Sequence, residues 1–489
     1  MAKNSIALFL YAILTKGAGL IIAVLVARYL GAAALGTYAA VLGLSLLLEN
    51  IIPLGQPFVI IRQVARDRTS LLSFWLNTSF VTFLIALVVG CVLAMVIHLF
   101  INDVEYATSA YIVAIYLPIA GLFGIAMAFV QGLEQMEAMT ISAFIGRVVG
   151  LLVLWVLLQS GLKVAATFIG YGAYQLVALL ALILIILRKS DHAGVFRETR
   201  LNLTQCWTTL RISFPFAIQS LLRSGLDQLS IIILPLLVTM EIIGMFDAAD
   251  RIRQTSAMII PIITLPILPA LSRMILSNRE QSISLMEKAL KLLLVVILPF
   301  VFFVAISADQ IIRLVYGPGY EAAIPVLRVV VWAQVFIVVD AVLNQALVAR
   351  GNEKAMMRFT ALSLGVNVIL LLILAPRFGA IGTAWAVVVT CAFNLVLNAQ
   401  FVIRHITQIN FFRANSRTLL CAVISGFIAI FTHSLGLWVS LILFCSSYAI
   451  LLWILRVFTN SELHLAQQLT IQFGRKAMTL IEKQFNKAK

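Results

Sequence analysis

The chain has 489 residues, 62% of them hydrophobic and 11% charged, with a mean hydropathy of +1.06 and a formal net charge of +15. A soluble protein carries charge on about a quarter of its residues, so this composition excludes a soluble enzyme or a soluble nucleic-acid binder and requires lipid as solvent. The positive balance is therefore first set against the excess of Lys and Arg found in cytoplasmic loops of membrane proteins.

Apolar runs of about twenty residues, enough to cross a hydrocarbon core about 30 Å thick, recur from end to end. They predict an all-α integral membrane protein with fourteen transmembrane helices, at 5–27, 37–60, 71–100, 108–131, 138–159, 164–187, 209–237, 243–272, 288–307, 322–349, 355–376, 379–403, 418–435 and 437–456. The first lacks a small-residue cleavage site after a short apolar core and is read as a retained helix, not a signal peptide. With the N-terminus in the cytoplasm, the segments on that side hold 24 Lys and Arg, among them Arg62, Arg66, Arg68, Arg188, Lys189, Arg404, Arg413 and Arg417. The other side holds four: Arg28, Lys163, Arg313 and Arg377. This asymmetry predicts that both termini are cytoplasmic. It also accounts for much of the net charge without a nucleic-acid partner.

An internal repeat organises the spans. Gly132 to Val177 aligns with Gly351 to Val396 at an offset of 219, placing Gly132 on Gly351, Glu134 on Glu353, Gly146 on Gly365 and GAYQLV on CAFNLV. Near the start of each half the offset is 208, with GTYAA (36–40) on GMFDA (244–248) and Gly17 on Gly225. Six spans per half give both halves one orientation, so the repeat is parallel and its axis runs along the membrane normal. The expected organisation is a six-helix lobe at 1–200, a second at 201–405, an accessory helix pair at 406–456 and a basic tail at 457–489. In the tail, Leu465, Leu469, Phe473, Leu480 and Ile481 fall at helical spacing beside Arg475, Lys476 and Lys483, as in an amphipathic helix on the inner membrane surface. A dispensable basic tail fits the same pattern.

Seven basic residues remain at membrane depth: Lys16, Arg147, Arg211, Arg223, Arg251, Arg253 and Arg328. Five acids join them: Glu49, Asp227, Asp247, Asp250 and Asp340. A Lys or Arg at a helix centre costs about 2.5–3.5 kcal/mol on insertion scales. Arg211 and Arg328 lie near span ends, where their side chains can snorkel to the interface. Arg223 and Asp227 are spaced for an ion pair on one helix, and Asp250, Arg251 and Arg253 cluster as structural pairs or as cleft lining. Lys16 and Arg147 have no in-helix partner within four residues. The expected substrate site is a central cationic cleft of Lys16, Arg147, Arg223 and Arg251, with Glu49, Asp227 and Asp340 as candidates for ion coupling or charge pairing. Glu49 is within reach of a pairing with Lys16. Asp340, followed by Asn344 and Gln345 on the next turns, fits a proton or ion site or a helix–helix hydrogen bond. A cleft richer in cations than acids suits an anion, and phosphate or pyrophosphate is the natural one for Arg and Lys.

Five scattered cysteines without a CxxC pair, and five dispersed histidines, suggest no disulfide framework, metal site or cofactor. There is no GxxxxGK[ST] loop, GxSxG or HExxH, and the longest outer loop, about 307–321, has no room for a catalytic domain. An enzyme is not expected.

Three segments add a family resemblance. ARYLGAAALGTYAAV (27–41) resembles the signature that follows the first helix of polysaccharide transporters. LVYGPGYEAAIPVLRVV (314–330) is similar to the segment before their tenth helix, and APRFGAIGTAWA (375–386) to their P-x-x-G-x-x-G-A-A turn. The family is the O-antigen/polysaccharide flippase branch of the multidrug/oligosaccharidyl-lipid/polysaccharide exporter superfamily, and the likeness runs over essentially the whole chain. It implies a two-lobed, 14-helix protein of the bacterial cytoplasmic membrane. Such a protein moves polyprenyl-pyrophosphate-linked oligosaccharide, an O-antigen or exopolysaccharide repeat unit of lipopolysaccharide and related glycans, by alternating access. Membrane lipid, a glycan polymerase and chain-length proteins would be its partners, and an ion or proton gradient its energy source. Lys16, twelve residues before the Arg of ARYLG, matches a position where related flippases place a cation. A lipid II flippase, a multidrug or cation antiporter of the sister branch, and a non-transporting scaffold for glycan assembly are the alternatives.

Overall fold

Long apolar stretches in lipid must satisfy their own backbone hydrogen bonds, so they fold as helices. The computed structural model describes residues 2–66, 71–190, 202–275, 279–406 and 411–458, and among these there is no strand. The expected tail helix at 457–489 lies almost wholly outside them.

The first half contains α1 (Ala2–Leu30), α2 (Ala32–Ile51), α3 (Gln56–Arg66), α4 (Leu71–Phe100), α5 (Val104–Gly132), α6 (Met136–Gln159) and α7 (Ala165–Ser190). The second contains α8 (Leu203–Ile233), α9 (Met240–Thr255), α10 (Ile259–Met274), α11 (Arg279–Ile306), α12 (Ala308–Tyr316), α13 (Ala323–Val330), α14 (Ala333–Ala349) and α15 (Glu353–His405). The pair α16 (Phe411–Thr432) and α17 (Leu437–Ile454) follows and packs on α11.

Among the described residues eleven helices are long and apolar enough to cross a membrane, and α15, with 53 residues, supplies two of the crossings. It doubles back at Gly379, whose φ of 58° is readily adopted only by glycine. Ser363 bonds to Asn394 at 3.0 Å and Asn367 to Thr390 at 3.2 Å, pairings that only an antiparallel hairpin can make. Adding α8, whose charges mask its length, and the interrupted pair α9–α10, every one of the fourteen expected spans falls on a helix.

Crossings at equivalent places in the repeat are broken. Between α2 and α3, Pro53 lacks an N–H, and Leu54 and Gly55 take φ of 45° and 73°. Between α9 and α10 a short 3₁₀ turn, Ser256–Met258, interrupts the helix ahead of Pro261. Both breaks lie in helices at the contact between the halves, where α2 packs against α8 and α9.

One edge of that contact is continuous. Asn77 of α4, almost fully buried, donates to Gln205 Oε1 of α8 at 2.8 Å and accepts from the Asn202 N–H at 3.0 Å. Phe58 stacks on Phe216 at 5.5 Å. A Cβ on Gly55 would meet the Ala217 nitrogen and the Ser213 oxygen at 2.5 Å, so α8 lies directly on the break. The opposite edge, between α1 and α10, has at most sparse contact among the described residues.

Within the first half, α6 and α7 form its most extensive helix pair, and a glycine seam allows their close approach. A Cβ on Gly150 would sit 2.6 Å from the Gly170 oxygen, and one on Gly170 would sit 2.7 Å from the Gly150 oxygen. Backbone atoms cannot swing aside, so Gly150→Val is expected to cost the roughly 1–3 kcal/mol of overpacking or more. The check is thermal stability of the purified protein, followed by fluorescence-detected size exclusion, where the variant should melt well below the parent.

Candidate functional site: a polar cleft between the halves

The two halves seal against each other at the end where α1 stops and α2 begins. A Cβ on Gly36 would fall 1.7 Å from the Met240 oxygen, and one on Gly244 would fall 2.0 Å from the Ala32 oxygen. These two glycines are the repeat-equivalent positions of the 208 offset, brought backbone to backbone on the axis between the halves. Beside them Ala23, Val26 and Ala27 of α1 are buried, and the Tyr320 hydroxyl donates to the Ala27 carbonyl at 3.3 Å.

Toward the other end the same α1 surface opens. Lys16, Ala23 and Ala27 lie on one stripe at i, i+7 and i+11. Ala23 and Ala27 are buried, whereas Lys16 is exposed, and a Cβ at Gly17 or Gly19 would meet nothing within 4 Å. Arg223 on α8 pairs with Asp227 at 3.6 Å, yet their side chains stay 74% and 59% exposed, so neither is consumed by the pairing. Arg211 and Arg328, expected near the interfaces, are also exposed.

The other two expected cations are placed differently. Arg147 is buried inside the first half, its guanidinium 3.9 Å from the ring centre of Tyr174 and 5.5 Å from that of Tyr171, and its Nε has no hydrogen-bond partner. Arg251 sits at the sealed end. It bonds Asp247 at 2.5 Å, lies 5.1 Å over the Tyr38 ring and reaches the Gly19 carbonyl of α1 at 3.5 Å. Its neighbour Arg253 bonds Asp250 at 2.6 Å and Gln334 at 3.4 Å, and Gln254 donates to Asp250 at 2.7 Å. The structure therefore gives the Asp250, Arg251 and Arg253 cluster to structural ion pairs, and leaves Lys16 and Arg223 as the exposed cations of the four.

Glu49 and Asp340 are held by uncharged partners. Glu49 accepts from Ser45 at 2.7 Å and from Gln175 at 3.1 Å, and the Ser45 hydroxyl also meets that of Tyr116 at 2.6 Å. Its partners come from its own half, in place of the pairing with Lys16 read from the sequence. Asp340 accepts from three amides: Asn344 at 2.8 Å, Asn394 at 3.0 Å and Asn398 at 2.7 Å. Ser363 holds Asn394, and a parallel chain joins Ser230, Asn367 and Thr390 beside it. Asn367, Asn394 and Asn398 escaped the sequence reading, which followed charges. Their signal was there as isolated amides in apolar helices, with Asn394 and Asn398 one turn apart. Among the described residues no three His, Cys, Asp or Glu side chains gather as metal ligands.

With this geometry in place, comparison with known proteins places the chain. Residues 1–275 match the family described as polysaccharide biosynthesis protein, and residues 277–373 match the MatE family. A curated protein of Escherichia coli (strain K12) named for O-antigen transport is 25% identical over 304 residues, covering 61% of this chain and 71% of its own. One of Shigella dysenteriae named likewise is 24% identical over 376 residues, covering 75% and 89%. Among solved structures, lipid II flippase MurJ in an inward closed conformation superposes with a TM-score of 0.76 at 15% identity, over 93% of this chain and 98% of that one. At that identity the likeness establishes the shared fold.

Proposed function

The chain belongs to the polysaccharide biosynthesis protein family, and on that premise we propose that it is a flippase for polyprenyl-pyrophosphate-linked oligosaccharide, working by alternating access in the bacterial cytoplasmic membrane. The observation that carries this reading is Lys16, a membrane-depth cation left exposed on α1, whose later turns at Ala23 and Ala27 are buried. A free ammonium in a low-dielectric cleft is costly unless an anion visits it. The pyrophosphate of the lipid carrier is the anion that fits, with Arg223 as a second donor and Asp227 as the partner it leaves. The sugar would travel in the cleft while the prenyl chain stays in lipid beside the open edge between α1 and α10.

Coupling is assigned to the amide-held carboxylates, Asp340 foremost and Glu49 second, because each is a membrane-depth acid without a fixed ion pair. The 24-to-4 charge asymmetry supports cytoplasmic termini. The sealed end is then extracytoplasmic and the cleft opens inward.

The test is glycan export in a deletion strain complemented with wild type, Lys16→Ala or Lys16→Arg. The expected result is loss of surface glycan with Ala, recovery with Arg, and accumulation of undecaprenyl-linked glycan inside. Full export with Lys16→Ala at normal protein levels would remove the cationic-cleft mechanism. A second reading, multidrug antiport, is favoured only by the MatE match at 277–373, and drug-resistance profiles of the deletion strain separate the two.

A further inference from the structure

We propose that Arg28 and the short helix α12 form a releasable latch that holds the two halves shut at the sealed end. Arg28 ends α1 in the first half, and α12 belongs to the second. The Arg28 Nε donates to the Val315 carbonyl at 2.9 Å, and its Nη2 donates to the Leu314 carbonyl at 2.5 Å. These carbonyls lie in the last turn of α12, where no further helical N–H is available to them and where the helix dipole is negative. The chain cannot continue the helix to supply one, because Gly317 turns away at φ 86°. The end of α12 is thus capped across the interface by a residue nearly three hundred positions earlier.

Three features make this a latch and not a fixed staple. The Arg28 side chain is exposed, so water can take over both its donors and the freed carbonyls when the bond breaks. The acceptors are backbone carbonyls, so release leaves no buried countercharge behind. The second tie next to it, Tyr320 to the Ala27 carbonyl, is an uncharged bond at 3.3 Å. Below the latch the close approach of Gly36 and Gly244 supplies shape, while Arg251 adds one long bond to the Gly19 carbonyl. The charge-assisted bonds across this end are therefore concentrated on Arg28, and uncapping α12 is the step that frees the halves.

The compartment assigned to this end rests on the orientation proposed above, and the experiment separates the two claims. Gly17→Cys is the reporter, since its Cβ has open space. It is placed in a chain whose five native cysteines are replaced, with or without Arg28→Ala, Arg28→Lys or Tyr320→Phe. A membrane-impermeant maleimide is applied to whole cells and to inside-out vesicles. The expected result is slow labelling of the parent in cells, several-fold faster labelling with Arg28→Ala, an intermediate rate with Arg28→Lys and a smaller gain with Tyr320→Phe. Labelling in vesicles should stay high throughout, and a monodisperse peak in fluorescence-detected size exclusion with a melting temperature near the parent's shows that each variant is folded. If Arg28→Ala changes the rate from neither side, the latch is overturned. If the parent labels fast in cells and the Arg28→Ala gain appears in vesicles, the latch stands and the orientation falls.

Discussion

Asp340→Ala is expected to reduce glycan export to background and to lower the stability of the second half. Three buried or half-buried amides, from Asn344, Asn394 and Asn398, donate to this one carboxylate and would be left without their acceptor. Each unmade bond of that kind costs about 1–3 kcal/mol. The losses are coupled, because the amides share one site, so a few kcal/mol in total is the expected scale. Asp340→Asn separates structure from coupling. It keeps the shape and one acceptor oxygen but removes the charge, so it should melt closer to wild type and still fail to export. Thermal stability in detergent and export in the complemented deletion strain are the two readouts. Asp340→Asn with normal export would take the coupling role away from this carboxylate.

Gly36→Ala and Gly244→Ala should each abolish export while leaving the separate halves folded. The new methyl would lie 1.7 Å from the Met240 oxygen in one case and 2.0 Å from the Ala32 oxygen in the other. Both obstacles are backbone, so relief requires the halves to move apart by more than an ångström. The sealed state then becomes unreachable, and the protein cannot complete a cycle. The double variant should be no worse than the harsher single one, since both block the same contact. Gly365→Ala is the control. Its Cβ would meet nothing within 4 Å and should be silent.

Much of the architecture was legible in the residues. All fourteen spans could be placed, because lipid demands about twenty apolar residues per crossing whatever the tertiary fold. The 208 offset read from the sequence aligned Gly36 with Gly244 before any contact between them was visible. What a repeat cannot tell is that equivalent positions touch, which needs the axis to run between them. The site was legible in part. Lys16 and Arg223 stand exposed, and the Arg223–Asp227 pair was written in their spacing. Arg251 illustrates the limit. Its partner Asp247 is one turn away on the same helix, but its reach to Gly19 depends on a crossing 232 residues earlier, and its place over Tyr38 on the crossing after that. Glu49 is similar, with Gln175 bonding it from 126 residues away. The amides around Asp340 carry no charge and so stood out less than the ions.

The sparse contact between α1 and α10 has a topological consequence. Among the described residues the halves are joined along α8 and only sparsely between α1 and α10, an arrangement that suits a slot better than a tube. For the lipid-linked cargo proposed above, a tube would require the whole anchoring chain to be threaded end first. A slot lets a molecule be drawn sideways, its soluble end inside the protein and its greasy end trailing through the open margin. The upper limit on cargo is then set by the cross-section of one repeat unit at the gate, and the length of the anchoring chain drops out altogether.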